Sequence, residues 1–181
     1  MPSSNLAVAP LILHLVWQVR PPDRPIRVVD VGPGHGKYAV LIREYVDVDA
    51  EVVAVEAWEP YVTDFRLDCI YDEVVVADVL GALDAVNGIF SRLAAADVVL
   101  MVDVIEHLPK DDALTLLDMI PGWVVVCTPR DYFANPADLP HTEAHISHWT
   151  VDDFAASGRL DYVDSGALDS LGAVVVRLRP R

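Results

Sequence analysis

The chain has 181 residues, 53% of them hydrophobic, and 28 acidic side chains against 13 basic ones give it a net charge of −15. That length buries a sizeable core without disulfide or metal staples, so one domain over residues 1–181 is expected. The acidity repels phosphate backbones at long range and makes nucleic acid an unlikely partner. Two cysteines, Cys69 and Cys127, form no framework, and there is no zinc-type Cys/His spacing; both read as small buried hydrophobes in a reducing cytoplasm.

The first element is an apolar helix from Leu6 to Val19, with Pro10 in its first turn and Pro21-Pro22 to stop it. A membrane span takes roughly 20 apolar residues, and the leading Met1 to Asn5 lacks the positive charge of a secretory signal. The helix is therefore expected to pack on a sheet or on a twin subunit, which makes a homodimer possible. Residues 1–25 are helix and linker, and 26–181 the core.

The stretch Arg27-Val-Val-Asp30-Val-Gly32-Pro-Gly34-His-Gly36-Lys37 is a short β-branched strand running into a glycine loop. A helix over about Lys37 to Tyr45 then offers its N-terminal amides to a ligand. A dinucleotide fingerprint would need glycine at position 37. The D-x-G-x-G-x-G form, with Asp30 two residues before Gly32, points to S-adenosylmethionine instead. Glu51 to Glu56 is a second strand, closing on an acid placed to accept hydrogen bonds from ribose hydroxyls. Val74 to Asp78 and Asp97 to Asp103 close a third and a fourth, so four buried strands end in carboxylates at the ligand-binding edge of an open α/β sheet. The alternative is that each carboxylate only caps the following helix.

Further along, Leu83 to Ala95 and Asp111 to Ile120 have helical spacing, and Trp123 to Cys127 is a fifth buried strand. Pro129 to Trp149 holds prolines, histidines and aromatics without periodicity, well beyond the usual ~4 to 6 residue link, and is expected to be a lid or substrate loop rather than a disordered one. Thr150-Val-Asp-Asp153 starts a short helix ending near Gly158, with aspartate completing a capping box. Asp161 to Leu168 and Ala173 to Leu178 are the last strands, joined by a hairpin at Asp169 to Gly172.

His107 is the best candidate base, because it follows the fourth strand and an imidazole titrates near working pH. Its alternative role, with Glu106, is to brace the next helix. Asp103, Glu106 and His107 are spaced i, i+3 and i+4, so one helical turn would set all three on one face with His145 brought over them. Such a set would suit Mg²⁺ or Mn²⁺ better than zinc, although a bound metal is the less favoured reading. A zinc site from His141, His145 and His148 is less favoured still.

These residues resemble the class I S-adenosylmethionine-dependent methyltransferases over nearly the whole chain. The segments Gly36 to Tyr45, Glu56-Ala-Trp-Glu-Pro-Tyr61, Tyr71-Asp-Glu-Val74, Asp103-Val-Ile-Glu-His-Leu108, Asn135-Pro136 and His145-Ile-Ser-His-Trp149 are similar to small bacterial and phage members of unsettled substrate. The resemblance implies a Rossmann-like, doubly wound seven-stranded sheet with its last strand antiparallel and helices on both faces. It implies that Asp30 supports the loop of Gly32, Gly34 and Gly36 and approaches the cofactor's amino group. Glu56 would hold the ribose, Asp78 the adenine amino group, and Asp103 would lie near the methionine. The chain also resembles metal-dependent enzymes that methylate the terminal ribose 2′-hydroxyl of small RNAs, but departs from them in having Asp103 for glutamate and no basic surroundings. O-methylation of a small molecule or sugar is the leading expectation. The alternatives are metal-dependent RNA 2′-O-methylation through Glu106, His107 and His145, and a non-catalytic cofactor-binding or assembly module with the same fold.

Overall fold

A computed structural model describes residues 5–84, 88–130, 144–164 and 172–181. Seven strands are present: β1 Arg27–Val31, β2 Glu51–Glu56, β3 Glu73–Val76, β4 Val98–Val102, β5 Trp123–Pro129, β6 Leu160–Asp164 and β7 Ala173–Leu178. They form one sheet in the order β3-β2-β1-β4-β5-β7-β6. Strands β1 to β5 are parallel, and β7 runs antiparallel to both of its neighbours. The chain winds outward from β1 to β3 and then returns to β4, so the crevice at the carboxyl ends of β1 and β4 is the topological switch point where ligands bind in such sheets.

The alternation of valines along the strands builds two apolar layers. Val28, Val52, Ala54, Leu100, Val125 and Val175 face α1 (Ala9–Gln18) and α2 (Lys37–Tyr45). Their neighbours Val29, Val55, Val99, Met101, Val126 and Val176 face α4 (Ile89–Ala95), α5 (Lys110–Met119) and α6 (Val151–Ala155). Each such side chain taken from water adds about 1.5–3 kcal/mol, so the sheet's rigidity comes from being covered on both sides. The short helix α3, Glu59–Asp64, follows β2.

Helix α1 buries Ala9, Ile12, Leu15 and Val16 and packs on the sheet, one of the two placements left open by its sequence. The capping box at Thr150 and Asp153 is present. Among the described residues no helix is long and apolar enough to cross a membrane.

Three expectations need correction. Leu83 to Ala95 is not one helix: a 3₁₀ segment spans Val79–Asp84, and α4 begins after Gly88, whose left-handed φ of 71° breaks the register. Strand β3 is not buried, because it is an edge strand with Val76 48% exposed. Cys69 is exposed, since Leu67 takes the inward position of that 3₁₀ turn; Cys127 is buried as expected. The described part of the penultimate strand is Leu160–Asp164. Residues 165–171, with most of the expected hairpin, lie outside the described residues. So do residues 131–143 of the expected lid, among them Asn135-Pro136 and His141.

Candidate active site

The loop after β1 opens over the switch point, between the ends of β2 and β4. Gly32, Gly34 and Gly36 all have left-handed φ values, +61°, +53° and +75°. Two also lack room for a side chain. A Cβ on Gly32 would lie 2.7 Å from Val104 Cγ2, and one on Gly36 2.9 Å from Ile70 Cδ1. Gly36 caps α2 without any side-chain hydrogen bond, which sets the N-terminal end of that helix beside the loop.

Behind the loop, Asp30 is 2% exposed, and its Oδ2 accepts a hydrogen bond from the Tyr71 hydroxyl at 2.6 Å. Burial pushes the Asp30 carboxyl up to about 7, against the pull of that hydrogen bond and of the Lys37 ammonium. Glu56 is buried at the end of β2, with Oε1 accepting from the Trp58 amide at 2.7 Å. Asp78 is exposed two residues past β3, and its Oδ1 accepts from the Leu80 amide at 2.9 Å. Both acids thus cap the turns that follow them, the alternative role weighed from sequence, while standing at the ligand edge. Asp103 directly follows β4 in a left-handed conformation, φ +54°, that costs a non-glycine residue about 1–3 kcal/mol. Its amide donates to the Cys127 carbonyl at 2.8 Å. Burial raises its carboxyl, and the charges of Lys37 and His145 oppose the rise.

A second cluster forms beside Asp103, on a 3₁₀ turn over Ile105–His107. Glu106 is 2% exposed; its Oε2 accepts from the Thr128 hydroxyl at 2.9 Å, but Oε1 is buried with no hydrogen-bond partner among the described residues. The imidazole Nε2 of His145 is 4.0 Å from that oxygen. Burial, helped by the Asp103 charge, pushes the Glu106 carboxyl up to about 8. His107 Nδ1–H donates to the Ala144 carbonyl at 3.0 Å, and its ring meets that of His145 edge-on at 4.8 Å. A single turn does not gather all three residues spaced 103, 106 and 107, as the sequence suggested. The 3₁₀ turn starts after Asp103, and among the described residues the three with ligand atoms within 4.8 Å of one another are Glu106, His107 and His145.

His145 reaches this point because its segment is laced to the turn. The amides of Ile146 and Ser147 donate to the Glu106 carbonyl at 2.8 and 3.0 Å. Trp149, fully buried and stacked on Phe154, donates its indole N–H to the Ile105 carbonyl at 3.2 Å. Lys110 closes the arrangement, bonding the His148 carbonyl at 3.0 Å and Asp153 at 2.7 Å. His148 itself stands apart, its Nε2–H donating to the Arg130 carbonyl at 2.5 Å.

Residues 7–172 match the family model described as a methyltransferase domain. The chain belongs to that family. Its seven-stranded Rossmann-like sheet is that of the class I S-adenosylmethionine-dependent methyltransferases. Similar solved structures include the CurJ carbon methyltransferase, with a TM-score of 0.67 at 12% identity, covering 95% of this chain and 54% of that one. The small RNA methyltransferase HEN1 gives 0.63 at 14%, covering 100% of this chain and 26% of HEN1. The arsenic(III) S-adenosylmethionine methyltransferase CrArsM of Chlamydomonas reinhardtii gives 0.55 at 17%, covering 85% and 63%. This chain thus spans less than two thirds of each. No curated protein sequence matches it.

Within this methyltransferase domain, two residues given no role from the sequence matter to the site. Tyr71 is the partner of Asp30, 41 positions away, and Thr128 is the partner of Glu106, 22 positions away. Thr128 had a legible signal, as a hydroxyl at the end of an apolar strand beside β4. Tyr71 was visible only within the Tyr71-Asp-Glu-Val74 segment of the resemblance, which gave it no role.

Proposed function

We propose that this methyltransferase domain moves the methyl group of S-adenosylmethionine to a hydroxyl of a small molecule or sugar. The observation that carries this reading is Glu106 Oε1, a buried carboxyl oxygen with no hydrogen-bond partner among the described residues, facing His145 at the same sheet edge as the glycine loop. A buried acceptor atom left unpaired costs about 1–3 kcal/mol and is offset when a ligand supplies the missing donor, as a hydroxyl does.

In this reading Asp30, the loop glycines, Glu56 and Asp78 hold the cofactor, and Asp103 borders its methionine end. The acceptor oxygen attacks the methyl carbon, the carbon–sulfur bond breaks and its electron pair returns to sulfur. The hydroxyl proton passes to the Glu106, His107 and His145 cluster, where a carboxyl raised to about 8 is, in its ionised fraction, a strong enough base to take it. Aligning the two reacting atoms supplies much of the acceleration, about 7 kcal/mol or more in well-oriented cases. The net charge of −15 favours a neutral or cationic acceptor over a polyanion.

A second reading is favoured by the three ligand atoms lying within 4.8 Å of one another. One orphan carboxylate oxygen and two imidazoles fit a divalent cation such as Mn²⁺ better than Mg²⁺, which takes oxygen ligands. Glu106, His107 and His145 would hold it, and it would supply Lewis acidity that makes a hydroxyl more acidic. HEN1 is a small RNA methyltransferase, and an RNA ribose 2′-hydroxyl is the acceptor in this version.

The deciding experiment is calorimetric titration with S-adenosylhomocysteine, on the wild type and Glu56→Ala, with NAD as a control. Micromolar binding lost in the variant supports the cofactor reading, and no binding by the wild type sinks it. A screen of sugars and small alcohols then follows, with and without EDTA and added Mn²⁺. Loss with chelator and rescue by Mn²⁺ selects the second reading; binding without turnover on any acceptor favours a non-catalytic module.

A further inference from the structure

We propose that Tyr71 is a positioning residue for the cofactor: its hydroxyl holds the Asp30 carboxylate ionised behind the glycine loop, where that charge attracts the cationic methionine end of S-adenosylmethionine. The proposal rests on the cofactor reading above and deepens it.

Three observations carry it. First, the contact is buried on both sides, with Asp30 2% and Tyr71 6% exposed and 2.6 Å between the oxygens, so water does not stand in for the hydroxyl. Second, the same short segment shapes the loop itself. The space a Cβ would need at Gly36 is taken by Ile70 Cδ1 at 2.9 Å and Tyr71 Cε2 at 3.3 Å. Third, that segment is fastened to the helix the loop opens. Arg43 of α2 donates to the Ile70 carbonyl at 2.5 Å and pairs with Asp72 at 2.7 Å, and Asp72 also accepts from the Val52 amide of β2 at 2.7 Å. The turn before β3 is therefore a brace that reaches the loop, its helix and the acid behind them at once.

The charged and titratable groups that act on Asp30 come from three elements. Tyr71 is on the brace, Lys37 at the start of α2, and Glu56 at the end of β2. Glu56 opposes ionisation of Asp30, and Lys37 and Tyr71 favour it. The tyrosine hydroxyl is itself pushed far up by burial and by the neighbouring carboxylate, so it stays a donor throughout the working range. Removing it leaves Lys37 alone against burial, and the Asp30 carboxyl rises further from about 7.

The test is calorimetric titration of wild type, Tyr71→Phe and Asp30→Asn with S-adenosylmethionine and S-adenosylhomocysteine from pH 6 to 9, beside thermal melts. A tenfold stronger proton affinity at Asp30 cuts its ionised fraction at pH 7 about fivefold. Tyr71→Phe is therefore expected to bind S-adenosylmethionine about fivefold more weakly at pH 7, with the gap closing by pH 9. The loss is smaller for S-adenosylhomocysteine, which lacks the sulfonium charge. Asp30→Asn binds weakly with no such pH dependence. If the Tyr71→Phe profile overlays that of the wild type, or if its loss is equal at every pH and for both ligands, the proposal is overturned. A wild type that binds neither ligand overturns the cofactor reading and the proposal with it. Should Tyr71→Phe melt before titration, an Asp30→Asn profile parallel to the wild type's still refutes the proposal.

Discussion

The two halves of the site treat their acids differently. On the β1–β3 side each sequence-predicted carboxylate meets a donor from the protein: Tyr71 for Asp30, the Trp58 amide for Glu56 and the Leu80 amide for Asp78. On the β4–β5 side Glu106 is buried as deeply as Asp30, yet one of its oxygens has no donor among the described residues. A buried group with every hydrogen bond made fixes a shape. One left half-made stores a demand that a ligand, a proton or a cation meets. The first half reads as a preformed cradle and the second as the place where something arrives.

The strongest way to break the comparison is at the cradle. Gly36→Val puts a branched side chain where φ is +75° and where Ile70 already stands 2.9 Å from the Cβ position. Strain and overpacking together cost about 2–5 kcal/mol, which lowers the melting temperature by about 5–15 °C. S-adenosylhomocysteine affinity is expected to fall more than 100-fold, and binding within threefold of wild type would remove the loop from the cofactor site.

Glu106→Gln tests the other half and is expected to spare cofactor affinity while cutting turnover about 10² or more. Its effect on stability has the opposite sign. Burial holds the folded-state carboxyl at about 8, above its unfolded value, so the wild type loses stability as pH rises from about 4.5 towards 8. The glutamine variant lacks that loss, and its melting temperature should gain on the wild type across this window. A gap independent of pH would show that Glu106 does not titrate there. Thr128→Val leaves Oε2 without its donor as well, at about 1–3 kcal/mol and a few degrees of melting temperature. It should also depress turnover less than Glu106→Gln does.

Much of this was legible because parallel strands carry their own signature. Runs such as Val28 to Val31 and Val98 to Val102 are apolar on both faces, and the loop glycines announce a conformation that other residues resist. Glu106, His107 and His145 were legible as residue types. Their grouping was legible too; what was not is that Asp103 falls outside the turn, because it adopts a left-handed φ with no glycine to signal it and a 3₁₀ turn replaces the helical one expected. Gly88 was visible, but as an isolated glycine in a helical pattern rather than as the break between Val79–Asp84 and α4. Partnerships such as Tyr71 with Asp30 depend on which strands become neighbours, and the spacing of residues along one strand does not encode that.

Asp97 sharpens the comparison from the opposite edge of the sheet. It directly precedes β4 as Asp103 follows it, yet it accepts from the two terminal guanidinium nitrogens of Arg24 at 2.7 and 2.6 Å and from the Arg27 amide at 2.9 Å. Burial alone would push its carboxyl up, but these donors outweigh burial and hold it below the usual range. Its contribution is therefore complete above the unfolded carboxylate value and fades as pH falls below about 4. The pair is open to solvent, with the Arg24 side chain 46% exposed, and salt screens it. Asp97→Asn should lower the melting temperature by about 3 °C or less at neutral pH, with the difference vanishing in acid and shrinking in molar salt. Cofactor affinity should not change, because this acid already has the partners that Glu106 lacks. A change in turnover on losing Asp97 would mean that the two ends of β4 are coupled, and that satisfied and unsatisfied acids do not divide scaffold from site.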